Sequence, residues 1–440
     1  MLGKTRFSKI SPTFCVFPWM EQVVQPSGMM SFCCVAQQGG MISKESGAPY
    51  RAGKDRMEDA KNSPFMRNLR RDMLEGKKID ACRTCYFQES IGKKSYRQMH
   101  NEEWGREARG EILARIEASK KNDYAVSSAP IYLDLRLGNL CNLKCRSCNP
   151  YNSSQIFKET TQLMKESPEF ENLRRKYEWS NPVVIEPWFE TDKFWSEVHE
   201  AIPFLKKVYL TGGEPTLIQK NYEFLQRCVD TGYSKNIFLM FNTNCTNVQE
   251  RFLELLPHFK WVLMNASIDS FGKSNDYIRH LSRWESIDRN FQRLLQVPGK
   301  VKLGVTPVIQ IYNILEITNL LDYVEEMAVK HSKSINVDFL YATSPVYIDA
   351  SILPQSIKSK AKERLEAFVK RSRFYGKEDF LTNSVDSCMN LLGRTEEAAS
   401  EDRLRDFLTY TKILDDKRGQ DFKTQFEELH GMLAAEGWTS

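Results

Sequence analysis

From residue 130 to about 350, short β-branched runs alternate with stretches whose apolar residues recur at helical spacing. The runs IYLDLRL (131–137), KVYL (207–210), NIFLMF (236–241), WVLMNASI (261–268), VKLGVTPVI (301–309) and INVDFLY (335–341) predict six strands. Between them, YEFLQRCVDTG, VQERFLELLPHF and NILEITNLLDYVEEMAVK predict amphipathic helices. Strand–helix alternation repeated six times implies a parallel sheet with right-handed crossovers. Six such units suit an open or partly closed barrel, and folds of this kind carry their chemistry at the C-terminal ends of the strands.

Two regions break the pattern. The start of the chain holds two cysteine groups separated by a Gly-, Ser- and Lys-rich loop (38–63), followed by a predicted charged helix near 98–121. From about 354 onward the sequence is charged and helical in spacing, and KSKAKERLEAFVKRSR reads as the solvated face of a helix. The expected organisation is therefore a cysteine-rich segment with a linker helix (1–125), an α/β core (126–350) and a helical C-terminal region (351–440).

Composition narrows the function classes. Hydrophobic residues make up 41% and charged residues 27%, ordinary for a globular chain, and no apolar run approaches the length of a membrane span. The net charge of +5 is a small excess spread along the chain, so no nucleic-acid partner is indicated. MLGKTRFSKISPTF has basic residues with no apolar run behind them, so the cytosol is the expected compartment.

Eleven cysteines without an export signal argue against a disulfide framework. Eight fall in three compact places: Cys15 with Cys33 and Cys34, then Cys82 with Cys85, then Cys141, Cys145 and Cys148. Grouped thiols in a reducing compartment point to metal ligation. In LGNLCNLKCRSCNP the last three are spaced by three and then two residues, directly after a predicted strand. Three thiolates on one tight loop can hold three irons of a cubane cluster and leave the fourth open for chemistry. A structural zinc site, the alternative, usually closes with four ligands in paired spacings. The nearest histidines in sequence, His100 and His199, are remote from the triplet.

CNLKCRSC after a strand resembles the cluster loop of the radical SAM superfamily, and the resemblance extends over about 210 residues through the later strand ends. LTGGEPTL after the second strand is similar to the family's Gly-Gly-Glu turn, which implies that Gly212, Gly213 and Glu214 contact the amino group of S-adenosylmethionine. FNTNCT and ASIDSFG end the third and fourth strands, where the family holds the ribose and carboxylate of that cofactor. This makes Asn242, Asn244, Ser267 and Asp269 candidates, with an ordinary turn or cap as the other reading of Asp269. One departure is Ser147, which stands where the family commonly has an aromatic residue. Cys245, just past the third strand, lies at the active end of the sheet, where a catalytic thiol is one reading and a core residue the other.

At the N-terminus, CVFPWMEQVVQPSGMMSFCC resembles the opening signature of SPASM and twitch domains, and Cys82 and Cys85 resemble their paired cysteines. The resemblance implies a twitch-like auxiliary 4Fe–4S cluster on Cys15, Cys33, Cys82 and Cys85, preceding the barrel rather than following it. Cys34 in place of Cys33, and a four-cysteine zinc knuckle in place of the cluster, both stay open.

Taken together, the resemblance implies a partial (βα)6 barrel enzyme with a 4Fe–4S cluster on Cys141, Cys145 and Cys148. It implies reductive cleavage of S-adenosylmethionine to a 5′-deoxyadenosyl radical, which removes a hydrogen atom from a peptide or small-molecule substrate. A low-potential electron donor such as a flavodoxin or ferredoxin is implied as a partner. The alternative is a non-catalytic zinc-binding scaffold, or a nucleic-acid- or protein-binding module, on a degenerate radical SAM fold.

Overall fold

The computed structural model describes residues 7–36, 39–90, 94–179, 181–393 and 400–438. The basic start MLGKTR, and residue 38 at the head of the predicted loop 38–63, lie outside them. The chain is α/β, with mostly parallel strands and a helical C-terminal region, and it divides into two units.

The first unit is Met1–Asn139, Ile185–Met240 and His258–Lys260. It contains β1 (Glu21–Val24), β2 (Met30–Ser31) and β3 (Tyr132–Arg136). In the second unit, β4 (Lys144–Cys145) follows in the chain, and β5 (Lys207–Thr211) returns to the first. The strands predicted at 131–137 and 207–210 are β3 and β5, paired in parallel from Tyr132↔Lys207 to Arg136↔Thr211. A strand without a sequence-based expectation lies on the other side of β3. The wholly buried run EQVV of β1 pairs with it in parallel, from Glu21↔Tyr132 to Val24↔Leu135, and β2 adds antiparallel to β1.

Helices close over this sheet segment. Pro64–Leu74 starts with proline in its first turn and Ser63 as N-cap, its hydroxyl accepting from Met66 N at 3.4 Å. The predicted helix near 98–121 is two helices, Tyr96–Glu107 and Arg109–Lys120, because Ala108 leaves helical geometry at φ −148°. The core gathers Phe14, Phe17 and Trp19, with the Trp19 indole donating to Ser119 Oγ at 3.0 Å.

The second unit is Leu140–Val184, Phe241–Pro257 and Trp261–Ser440. β6 (Phe238–Thr243) carries the chain from one unit into the other. In the second unit β7 (Trp261–Ala266) is followed by the short β8 (Arg279–His280), and then by β9 (Val301–Val305), β10 (Val308–Ile309), β11 (Ile335–Val337) and β12 (Leu340–Tyr341). β7, β9 and β11 form a parallel run, joined by crossover helices Trp284–Leu295 and Ile317–His331. The predicted strand 301–309 is interrupted at Thr306–Pro307, where proline offers no donor to a ladder. The predicted 335–341 is likewise split, with β12 pairing in parallel to β10. Helices Gln355–Arg371, Asp379–Leu392, Ser400–Arg418, Phe422–Gln425 and Glu427–Ala435 make the C-terminal region. Its core is built from Leu365, Phe368, Val385 and Phe407. No helix among the described residues is long and apolar enough to cross a membrane.

Candidate functional site

In the second unit, Cys141, Cys145 and Cys148 are half-buried on one loop. The loop is held at each cysteine. The Cys141 N–H donates to Ser154 Oγ at 3.2 Å, where the helix Ser154–Glu166 begins. Cys145 belongs to β4, which pairs antiparallel with β8 so that Cys145 faces Arg279. The Cys148 N–H closes a turn onto Cys145 O at 3.1 Å.

Arg279 is the residue that pattern reading missed. Its Nη1 donates toward Cys145 Sγ at 3.7 Å. Its Nε lies 2.8 Å from Asp269 Oδ2, and its Nη2 donates to Oδ1 at 3.2 Å. Asp269 has no exposed surface and also accepts the Val308 N–H, at 2.8 Å. This carboxylate therefore orients a buried guanidinium against a cysteine sulfur. A cation aimed at that sulfur suits a thiolate, the form in which cysteine binds metal. Burial pushes the Cys145 thiol up to about 11, with the Arg279 charge pulling the other way. Burial and the neighbouring thiols raise Cys148 as well. Metal binding must therefore release protons here.

Among the described residues, no three Cys, His, Asp or Glu side chains converge on a point as ligands of one metal ion would. A zinc ion needs its sulfur donors within about 2.3 Å of a single centre. A cubane cluster takes one thiolate at each of several separate irons, and Cys141, Cys145 and Cys148 supply three cysteines from one loop.

Side-chain amides and a hydroxyl just past β6 are tied to the loop, and β7 is tied to β6. Asn244 Nδ2 donates to Asn142 Oδ1 at 2.9 Å, Asn142 Nδ2 to Thr246 Oγ1 at 2.8 Å, and the Thr246 hydroxyl to Asn244 Oδ1 at 2.6 Å. Asn242 Oδ1 accepts from Asn265 Nδ2 at 3.2 Å, and the half-buried Ser267 uses its N–H on Thr243 O at 2.8 Å. Cys245 is fully buried at φ +59°, its carbonyl accepting from Asn290 Nδ2, so its thiol faces the core. Beside Cys148 opens a cavity of about 480 Å³, lined by Tyr151, Phe170, Tyr177, Trp179 and Tyr410 among others. Ser147 is half-buried, while its neighbour Arg146 is completely buried.

In the first unit, Gly212, Gly213 and Glu214 follow β5. Both glycines have positive φ, +83° and +50°. A Cβ on Gly212 would lie 2.8 Å from the Arg136 Cβ, so the close approach as well as the backbone requires glycine. Glu214 is buried, and its Oε1 accepts from Thr216 N at 3.1 Å and Thr216 Oγ1 at 2.7 Å, capping the short turn Pro215–Leu217.

The same unit brings four N-terminal cysteines together. Cys15, Cys33, Cys82 and Cys85 line one small pocket with Phe17 and Phe32. Cys34 is not among the lining residues, and its thiol donates to the Tyr96 hydroxyl at 3.3 Å. Four thiols around one apolar pocket suit a sulfur-ligated centre with its charge shielded from water. Burial raises Cys15 and Cys85, and takes Cys82 up to about 12.

No curated protein matches the chain. Solved structures similar to it include native anSMEcpe with bound AdoMet, at 17% identity over 57% of this chain and 62% of that one, TM-score 0.35. Streptococcus suis SuiB bound to precursor peptide SuiA is similar at 14% identity over 66% and 60%, TM-score 0.34. The chain thus spans less than two thirds of either relative. Residues 135–324 match the family described as the Radical SAM superfamily. That matched stretch, under half of the chain, contains the cysteine loop, the Gly-Gly-Glu turn and Arg279.

Proposed function

We propose that this chain is a radical SAM enzyme: it holds a 4Fe–4S cluster on Cys141, Cys145 and Cys148, binds S-adenosylmethionine, and removes a hydrogen atom from a peptide or small-molecule substrate. The observation that carries the reading is the buried Arg279, fixed by Asp269 and directed at Cys145 Sγ inside the matched domain. When bound, the cluster and cofactor supply a one-electron cleavage that generates a carbon radical.

The chain's own residues do the rest. Arg279 keeps positive charge beside a ligand sulfur, which the negative cluster would otherwise lack. Asn142, Asn244 and Thr246 fix the loop to the strand ends and support the assignment of Asn242, Asn244, Ser267 and Asp269 to the cofactor's surroundings. Asp269 acts there through Arg279. The side-chain-free turn at Gly212 and Gly213, capped by Glu214, suits close approach of a cofactor to main chain. The cavity beside Cys148 has the size of a small-molecule or side-chain site.

A second cluster on Cys15, Cys33, Cys82 and Cys85 is part of the proposal, supported by their shared pocket. So is the division into a twitch-like segment (1–125), core (126–350) and helical region (351–440). The electron donor would be a flavodoxin or ferredoxin, and the cytosol the compartment.

The test is an anaerobic preparation in which iron and sulfide are counted, the protein is reduced with dithionite, and S-adenosylmethionine is added. About eight irons and formation of 5′-deoxyadenosine are expected. Zinc in place of iron, with no cofactor cleavage, overturns the reading in favour of a scaffold.

A further inference from the structure

The first of the two residues between the second and third cysteines of the loop is an arginine without exposed surface. Arg146 is held at its main chain and its side chain at once. Its N–H donates to Ile278 O at 2.9 Å, and its carbonyl accepts from the Tyr410 hydroxyl at 3.0 Å. The guanidinium lies 3.9 Å from the Tyr277 ring centroid and 5.1 Å from that of Tyr312. Its Nη2 donates to the Asp415 carboxylate and, at 3.0 Å, to Gln420 Oε1. The same carboxylate accepts from the Tyr277 hydroxyl at 2.7 Å and the Phe422 N–H at 2.6 Å.

A second anchor lies on the other flank. Lys144, immediately before Cys145, is 3.3 Å from Glu159, and Glu159 is gripped by Arg418 at 2.6 and 3.1 Å. Glu159 and Arg418 side chains are 3% and 1% exposed. Tyr410, Asp415 and Arg418 all belong to the helix Ser400–Arg418, 269 residues from Arg146 in the Asp415 pair. Swapping a buried ion pair for apolar residues of similar volume often costs no stability, so the pair calls for a reason beyond folding. Its position next to two ligand cysteines supplies one, because nearby net charge sets the potential of a cluster.

We propose that Arg146 and Asp415 are a charge-balanced positioning pair through which the C-terminal helix Ser400–Arg418 holds the cysteine loop and sets the reduction potential of the centre bound there. This rests on the reading of Cys141, Cys145 and Cys148 as cluster ligands. Removing the carboxylate leaves an uncompensated cation that favours the reduced, more negative centre. Removing the guanidinium leaves an uncompensated anion that disfavours it. A unit charge roughly 10 Å away at an effective dielectric of about 20 changes an equilibrium by at least about tenfold.

The experiment uses the full chain reconstituted anaerobically, with iron counted first. Each protein is titrated by EPR at set potentials, following the signal that changes on adding S-adenosylmethionine. In Asp415→Asn the reduced fraction at fixed potential should rise about tenfold, equivalent to about 59 mV for one electron. In Arg146→Gln it should fall by about the same factor. The double variant should return to within about threefold of wild type, the two charge changes cancelling. A merely structural role would move neither potential, or both in the same direction, and either result with iron intact overturns the proposal. If a single variant loses its iron, the double variant decides: retained iron and a near wild-type potential support the pair, and loss of iron refutes it. Wild-type protein that assembles no centre overturns the functional reading itself, and this proposal with it.

Discussion

Replacing Asp269 by alanine tests the electrostatic logic of the site directly. Asp269 is completely buried and pairs with Arg279 through two contacts of 2.8 and 3.2 Å, while also accepting the Val308 N–H at 2.8 Å. Removing one partner of a buried pair costs about 3–5 kcal/mol, because the other charge stays desolvated. Leaving the Val308 N–H without an acceptor adds about 1–3 kcal/mol. The two losses share one cavity and will not add fully, so about 4–6 kcal/mol is expected. With a urea slope of about 3 kcal/mol per molar, the unfolding midpoint followed by circular dichroism should drop by more than about 1 M. Asp269→Asn in combination with Arg279→Met removes both charges and keeps an acceptor for Val308, and should recover most of the loss. A shift below about 0.3 M in Asp269→Ala would refute the claim that this carboxylate carries the buried cation.

Three further outcomes follow from the geometry. Cys33→Ser should lose about four irons, one cubane, while Cys34→Ser keeps them, since Cys33 lines the four-thiol pocket and Cys34 faces Tyr96; equal losses by iron assay would count against this ligand set. Gly212→Ala should cost about 2–4 kcal/mol by thermal unfolding, from a positive φ penalised by about 1–2 kcal/mol and a Cβ contact of 2.8 Å with Arg136; an unchanged melting temperature would contradict it. His280 is held down to about 4 by burial and by the nearby Arg418 charge, against an ordinary 6.5. The unfolded chain then binds more protons between those values, so stability should be full above about pH 6.5 and fall as pH drops toward 4. His280→Asn should flatten that part of the pH–stability curve, and an unaltered slope would show that other groups carry it.

The alternation of β-branched runs and helical spacing was enough to read the α/β core, because both periods are local properties of a chain a few residues long. The same holds for the cysteine loop: spacing alone marked Cys141, Cys145 and Cys148, and a Gly-Gly step marked the turn that positive φ requires at Gly212 and Gly213. Where local signals ended, so did the reading. The strand Glu21–Val24 was not foreseen, since its four residues are buried by pairing with Tyr132–Leu135, more than a hundred residues on. Whether Cys33 or Cys34 joins Cys15, Cys82 and Cys85 depends on which way two adjacent side chains point, which composition and spacing leave open. Ser147 looked like the odd residue of the loop, yet its neighbour Arg146 carries the consequence. Its partner Asp415 lies in a helix of the C-terminal region that the sequence marked only as charged and helical in spacing. Asp269, foreseen as a cofactor contact or a turn residue, gains its role from Arg279, brought to it by the pairing of β4 with β8. Sequence determined the elements and the donor atoms. Tertiary structure alone decided which charges are buried against which sulfurs, because burial and pairing arise between segments that only the folded chain brings together.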